Sequence, residues 1–180
     1  MSRRTVIGLI VPLVLVATYF GVDAWVRAHV DDLIQHAVDR PLPEFTAKDR
    51  DGRTWRKADL LGKRAVLHFF RSHCHACDAE APAIRTLEAA DADVVWLHAM
   101  TDVVMDVDRA TTEATIARKQ FRAPILMADE AFMDLFHKAS WSQVTPVTYV
   151  VDAKGVVRYA LRGRQEQATI AAAIAALAEG

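Results

Sequence analysis

Cysteine is almost absent from this 180-residue chain. There are two, and no further thiols that could build a disulfide framework or complete a four-cysteine zinc site. An excess of charge is lacking as well, and a formal net charge of −1 gives no electrostatic reason to expect nucleic acid as a partner. Internal repeats and low-complexity tracts are missing apart from alanine-rich helix. What remains, at 52 % hydrophobic residues, is enough for one ordinary core and hence one folded domain.

Charge disappears altogether between Thr5 and Val22 (TVIGLIVPLVLVATYFGV). About 18 helical residues rise roughly 27 Å, close to the thickness of a bilayer's hydrocarbon layer. Arg3 and Arg4 precede the stretch and Asp23 follows it. The positive-inside bias therefore expects residues 1–4 in the cytoplasm, a transmembrane signal anchor at 5–22, and everything beyond on the far side. Val22-Asp23-Ala24 is a passable cleavage site, but the apolar run exceeds the usual signal-peptide core and Tyr19-Phe20 suit a membrane interface, which favours an uncleaved anchor. No cysteine follows the run closely, which removes a bacterial lipoprotein anchor. The compartment expected for the rest is oxidising, so a lone cysteine pair there is disulfide-bonded unless something reduces it.

Residues 23–41 place Trp25, Val26, Val30, Leu33, Ile34 and Val38 at roughly helical spacing, an amphipathic stalk that Pro41 and Pro43 end. From 42 to 180 the pattern is that of a folded domain. Asp51-Gly52 marks a hairpin between 45–48 and 53–55. Strands at 65–70, 93–97 and 125–127 then alternate with helices at about 75–90, 111–121 and 129–138, which implies a parallel core. Strands at 147–151 and 156–161, joined by Asp152-Ala153-Lys154-Gly155, form an antiparallel pair, and Ile170, Ile174 and Leu177 give a closing helix one apolar face.

Both cysteines fall in Ser72-His73-Cys74-His75-Ala76-Cys77, between the apolar strand at 65–70 and a helix. Two thiols at this spacing favour redox chemistry, one attacking and its neighbour resolving. Cys74 at a helix start gains thiolate character from unpaired N–H groups and the positive dipole end, while Cys77, one turn inside, is expected to be more buried. A protonated His75, and His73 less directly, add positive charge that stabilises the reduced form. The alternative is copper handling by the His73-Cys74-His75-Ala76-Cys77 cluster, whose imidazoles and thiolates suit copper(I); alternating neighbours at a helix start converge poorly on one ion, so no metal site is assigned.

The strand, the Cys-x-x-Cys, Pro82 five residues past the second cysteine and Thr145-Pro146 before a late strand resemble the thioredoxin superfamily. Asp59-Leu60-Leu61-Gly62-Lys63, Cys77-Asp78-Ala79-Glu80-Ala81-Pro82 and Tyr149-Val150-Val151-Asp152-Ala153-Lys154-Gly155 are similar to the membrane-tethered TlpA/ResA/CcmG-type thiol-disulfide oxidoreductases. The resemblance implies a thioredoxin-like α/β fold, a central mixed sheet flanked by helices with an N-terminal transmembrane helix. It implies a protein disulfide oxidoreductase that needs no cofactor, acts on protein thiols or disulfides through Cys74 and Cys77, and serves as a reductase fed by a membrane electron donor of the DsbD type. The expected location is the bacterial inner membrane, single-pass, with the catalytic domain on the periplasmic side. Thr145-Pro146 is the expected cis-proline loop, with Trp141 lining a substrate groove. His68 and Glu80 are candidate acceptors of the Cys77 proton, and His98 reads as structural. The chain departs from the family at His73 and His75, where tryptophan and proline are usual, and at Ser142-Gln143-Val144, where cytochrome-maturation members carry glycine-rich sequence. Relatives that reduce peroxide show Thr-x-x-Cys, and Arg71 stands at the threonine place.

Overall fold

The computed structural model describes residues 3–136 and 144–178. It divides into two compact units, Met1–Leu33 and Ile34–Gly180. The first is the body of helix α1, Arg3–Gln35, which runs without a break through the 22/23 boundary where the charged residues begin. Over Leu13–Gln35 this helix is long and apolar enough to cross a membrane, with a mean hydropathy of 1.2. The helix stops at Gln35, short of the prolines expected to end it, and 36–40 form turns. The cause is edge pairing: Asp39 adopts a left-handed φ of 59° and its N–H donates to the Val157 carbonyl, after which Leu42 N–H donates to the Gly155 carbonyl.

The second unit opens with a two-stranded antiparallel ribbon, β1 (Thr46–Lys48) and β2 (Thr54–Arg56). Asp49 holds its turn, Oδ1 accepting from the Asp51 and Arg53 N–H groups and Oδ2 from Trp55 Nε1. The main sheet has the order β5-β4-β3-β6-β7. Here β3 is Arg64–Phe70, β4 Val94–Met100, β5 Ile125–Met127, β6 Val147–Val151 and β7 Val157–Arg162. The first three are parallel, β6 and β7 antiparallel. The central mixed sheet flanked by helices is therefore present as expected.

Helices α2 (His75–Ala90), α3 (Arg109–Lys119), α4 (Glu130–Phe136) and α5 (Gln167–Ala175) complete the unit. Alternation along β3 sends Val66, His68 and Phe70 to one face and Leu67 and Phe69 to the other. Val66 packs with Ile84 and Leu87 of α2 and Ile170 and Ile174 of α5. On the opposite face Phe69 meets Phe132, Phe136 and Tyr149, an aromatic layer with centroids 5.2 to 6.0 Å from Phe69. Both faces of β3 are thus covered, which explains why all of its residues after Arg64 are buried.

Candidate active site

The carboxyl end of β3 delivers the chain to the site. Ser72 is anchored there by buried Asp102, which accepts from Ser72 N–H at 2.7 Å, Ser72 Oγ at 2.6 Å and Thr112 Oγ1 at 2.8 Å. His73 then turns the chain with a left-handed φ of 52°, and Cys74 caps the N-terminus of α2. The Cys74 sulfur accepts the Cys77 N–H at 3.1 Å, the N–H expected to stabilise a thiolate at this place. Cys77 lies one turn in, fully buried, and the two form a disulfide. Pro82 sits inside α2.

The Thr145-Pro146 peptide is cis and lies beside the cysteines, as expected. Cys74 Sγ is 3.7 Å from the Thr145 carbonyl oxygen and 3.9 Å from Thr145 Oγ1. Arg71 Nε donates to that same hydroxyl oxygen at 3.1 Å, which leaves the Thr145 O–H free to point at sulfur. His73 and His75 are exposed beside the pair. Trp141 falls outside the described residues.

Behind Cys77 the site becomes a chain of buried side chains. Glu80 and Cys77, three apart, share a face of α2. Glu80 Oε2 is 3.2 Å from His68 Nε2, His68 Nδ1 is 3.0 Å from His98 Nδ1, and His98 Nε2 is 2.6 Å from Glu88 Oε1. The ends are tied to backbone: Glu80 Oε1 accepts the Gln165 N–H at 2.8 Å, and Glu88 accepts the N–H groups of Ala123 and Arg122 at 3.1 and 3.3 Å. Burial pushes the His98 imidazole down to about 4, against the pull of Glu88. Burial alone would raise the Glu88 carboxyl, but the bond and charge of His98 and the two backbone donors bring it below its ordinary value. Thr148, paired across the sheet with His68, buries a hydroxyl with no hydrogen-bond partner among the described residues.

Asp78 places a negative charge in the first turn of α2, next to the pair. Burial opposes that charge, yet the Lys119 ammonium at 2.6 Å and the Arg118 guanidinium at 3.2 Å hold the carboxyl below its usual range and offset its effect on the sulfurs.

Of the residues singled out in the sequence, Cys74, Cys77, Thr145 and Pro146 meet at the mouth, and Glu80 and His68 meet behind it. His73 and His75 stay at the surface, and among the described residues no group of three or more His, Cys, Asp or Glu side chains is placed to hold a metal ion. His98, read as structural, is hydrogen-bonded into the same chain as His68. Glu88 and Asp102 were not singled out, and Arg71 was named only for standing where peroxide-reducing relatives carry threonine. The one available signal was the repeated Leu-His of Leu67-His68 and Leu97-His98, which parallel pairing in register sets side by side.

The model of the AhpC/TSA family matches residues 38–160. The thioredoxin-like protein YneN of Bacillus subtilis is 26 % identical over 116 residues, 64 % of this chain and 66 % of YneN. Peroxiredoxin Q of Triticum aestivum is 32 % identical over 65 % of this chain and 55 % of its own length. The thiol-disulfide oxidoreductase YkuV of Bacillus subtilis is 27 % identical over 67 % of this chain and 82 % of YkuV. Among solved structures, MTB dsbF superposes with a TM-score of 0.63 at 26 % identity, covering 74 % of this chain and 94 % of that one.

Proposed function

The chain belongs to the AhpC/TSA family, and on the geometry of its site we propose that it is an exported, membrane-tethered thiol-disulfide oxidoreductase that reduces protein disulfides. The observation that carries this reading is Cys74 at the α2 N-terminus, receiving the Cys77 N–H and facing the Thr145 carbonyl, with Cys77 buried one turn deeper. In the reduced protein the Cys74 thiolate attacks a client disulfide, forming a Cys74–client bond and releasing one client thiolate, which takes a proton. Cys77 then gives its proton to the Glu80–His68 pair and attacks Cys74 sulfur. The second client thiol leaves, and the Cys74–Cys77 disulfide holds the two electrons' worth of oxidation the client has lost.

Thr145 and Pro146 would line the extended client chain, and His73 and His75 would tune the pair toward a less reducing potential. Return to the dithiol requires an external dithiol donor, and a membrane carrier of the DsbD type fits. Residues 5–22 would anchor the protein in the bacterial inner membrane with residues 23–41 as a stalk. The thioredoxin-like domain, residues 42–180, would then face the periplasm. The candidate span of α1 and the Arg3-Arg4 flank support that topology. Peroxide reduction is the second reading, favoured by the match to peroxiredoxin Q; against it, Arg71 stands three residues before Cys74 and is engaged by Thr145.

Cys77→Ser tests the mechanism by removing the resolving thiol. It should accumulate client adducts on Cys74 that reducing agent dissolves, and Cys74→Ser should accumulate none. Equal trapping by both variants would overturn the assigned roles. Rapid hydrogen peroxide consumption by the wild-type protein, with no adducts from Cys77→Ser, would favour the peroxidase reading.

A further inference from the structure

The buried chain from Glu80 to Glu88 is longer than a proton acceptor for Cys77 requires. A single base one turn from the thiol would suffice. Here two more titratable groups lie beyond the Glu80–His68 pair, His98 bonded to His68 and Glu88 bonded to His98. Three contacts link the four side chains, so three protons fill them and the chain carries a net charge of −1.

Where those protons sit follows from the ends. Glu88 takes two backbone N–H donors as well as His98, so its carboxylate stays ionised and acts as acceptor. His98, kept neutral by burial, therefore carries its one proton on Nε2 and presents a bare Nδ1 to His68. His68 must then donate from its own Nδ1. The third proton lies in the remaining contact, between His68 Nε2 and Glu80 Oε2, next to Cys77.

We infer that Glu88 and His98 are positioning residues that lock the tautomer of His68 and thereby hold a proton on the Glu80–His68 pair, setting the pH at which Cys77 can resolve a mixed disulfide. This rests on the functional reading above. Loss of the Cys77 proton to Glu80 then takes the chain from a net charge of −1 to zero, the His68 imidazolium being balanced through His98 by ionised Glu88. The other groups that face the chain are few. From α3, the Lys119 ammonium reaches the charge of Glu80 while bonded to Asp78; from the sheet come uncharged Thr148 and Trp96, and Phe70 and Phe121 stack around the imidazoles at 5.8 and 4.1 Å.

The inference makes two variants move in opposite directions. Glu88→Gln keeps a carbonyl oxygen for His98 Nε2–H but removes a negative charge, so the pH midpoint for Cys77 attack should fall by about one unit. His98→Phe keeps the stack on Phe121 but unlocks His68, which then stays neutral beside ionised Glu80, so the midpoint should rise by about the same amount. A merely structural role would slow both variants alike.

The measurement uses the full-length reduced protein in detergent micelles and an aromatic disulfide that releases a coloured thiolate. The first burst of colour reports Cys74 and serves as the gauge of an intact site. The second reports Cys77 displacing the adduct and is followed from pH 5 to 9. Opposite shifts of the second phase support the inference. Shifts of one sign, or none, overturn it while the functional reading stands. Should His98→Phe not fold, Glu88→Gln decides by itself, since an unmoved or raised midpoint overturns the lock. Absence of either phase from the wild-type protein would instead overturn the oxidoreductase mechanism.

Discussion

At the mouth of the site Cys74 is served largely by main-chain groups, the N–H of Cys77 and the carbonyl of Thr145. One turn deeper, buried Cys77 shares a face of α2 with Glu80, which opens a chain of buried titratable side chains fixed by hydrogen bonds. The difference teaches which chemistry each end can tolerate changing. Main-chain donors survive substitution of their side chains, and exposed charges such as those of His73 and His75 are screened by water and salt. A buried network has no such buffer, because each partner removed leaves another unsatisfied. Substitutions at the deep end should therefore act strongly and on the resolving step, and those at the mouth weakly and on the first attack.

The sharpest way to break this comparison is Glu80→Gln. The amide keeps the size and the Gln165 contact but cannot accept a proton, and positioned acid-base groups contribute about a hundredfold or more. Resolution of the Cys74 adduct at pH 7 should slow by about that factor, with the first attack far less affected. Single-turnover kinetics with the coloured disulfide separates the two steps. Equal slowing of both would show that the ends are not independent.

Acid stability probes the same contrast at equilibrium. In the folded protein His98 binds its proton less readily, about 4 against an ordinary 6.5. Between those values the unfolded chain holds more protons, so stability is complete above about pH 6.5 and is lost as the pH falls toward 4. The full difference corresponds to about 3 kcal/mol, and the lowered Glu88 carboxyl adds loss of the same sign at more acid pH. His98→Phe should flatten that fall, measured as thermal midpoints of the full-length protein in micelles across this range. An unchanged slope would mean that another group carries the acid sensitivity.

Much of this architecture is written locally. The apolar runs that became β3, β4 and β6, the Asp-Gly and Lys-Gly turns, and the Cys-x-x-Cys ahead of a helix each carry their own signal within a few residues. What the chain does not write locally is register. Glu88 has no mark that separates it from a solvated helix glutamate until β4 sets His98 beside His68, and Arg71 reaches Thr145 across 74 positions. The end of α1 is hidden for the same reason, since pairing of 39–42 with 155–157 stops the helix before the prolines do.

The mouth supplies the smallest expected effect and the most delicate test of the comparison. If His75 stabilises the Cys74 thiolate through its charge, His75→Gln removes that charge with little change of shape, weakening the thiolate and making the pair more reducing, because the reduced form is the one stabilised. A tenfold change in the equilibrium of a two-electron couple is about 30 mV. His75 is exposed, so screening should keep the shift below that. His75→Pro, restoring the residue usual in the family, should move the potential in the same direction with an added backbone effect. Redox equilibrium against glutathione, with thiolate absorbance followed across pH, reads both. A shift well beyond 30 mV in His75→Gln would mean that side-chain charge, and not the helix terminus, governs Cys74, and the contrast between the two ends would fail at the mouth.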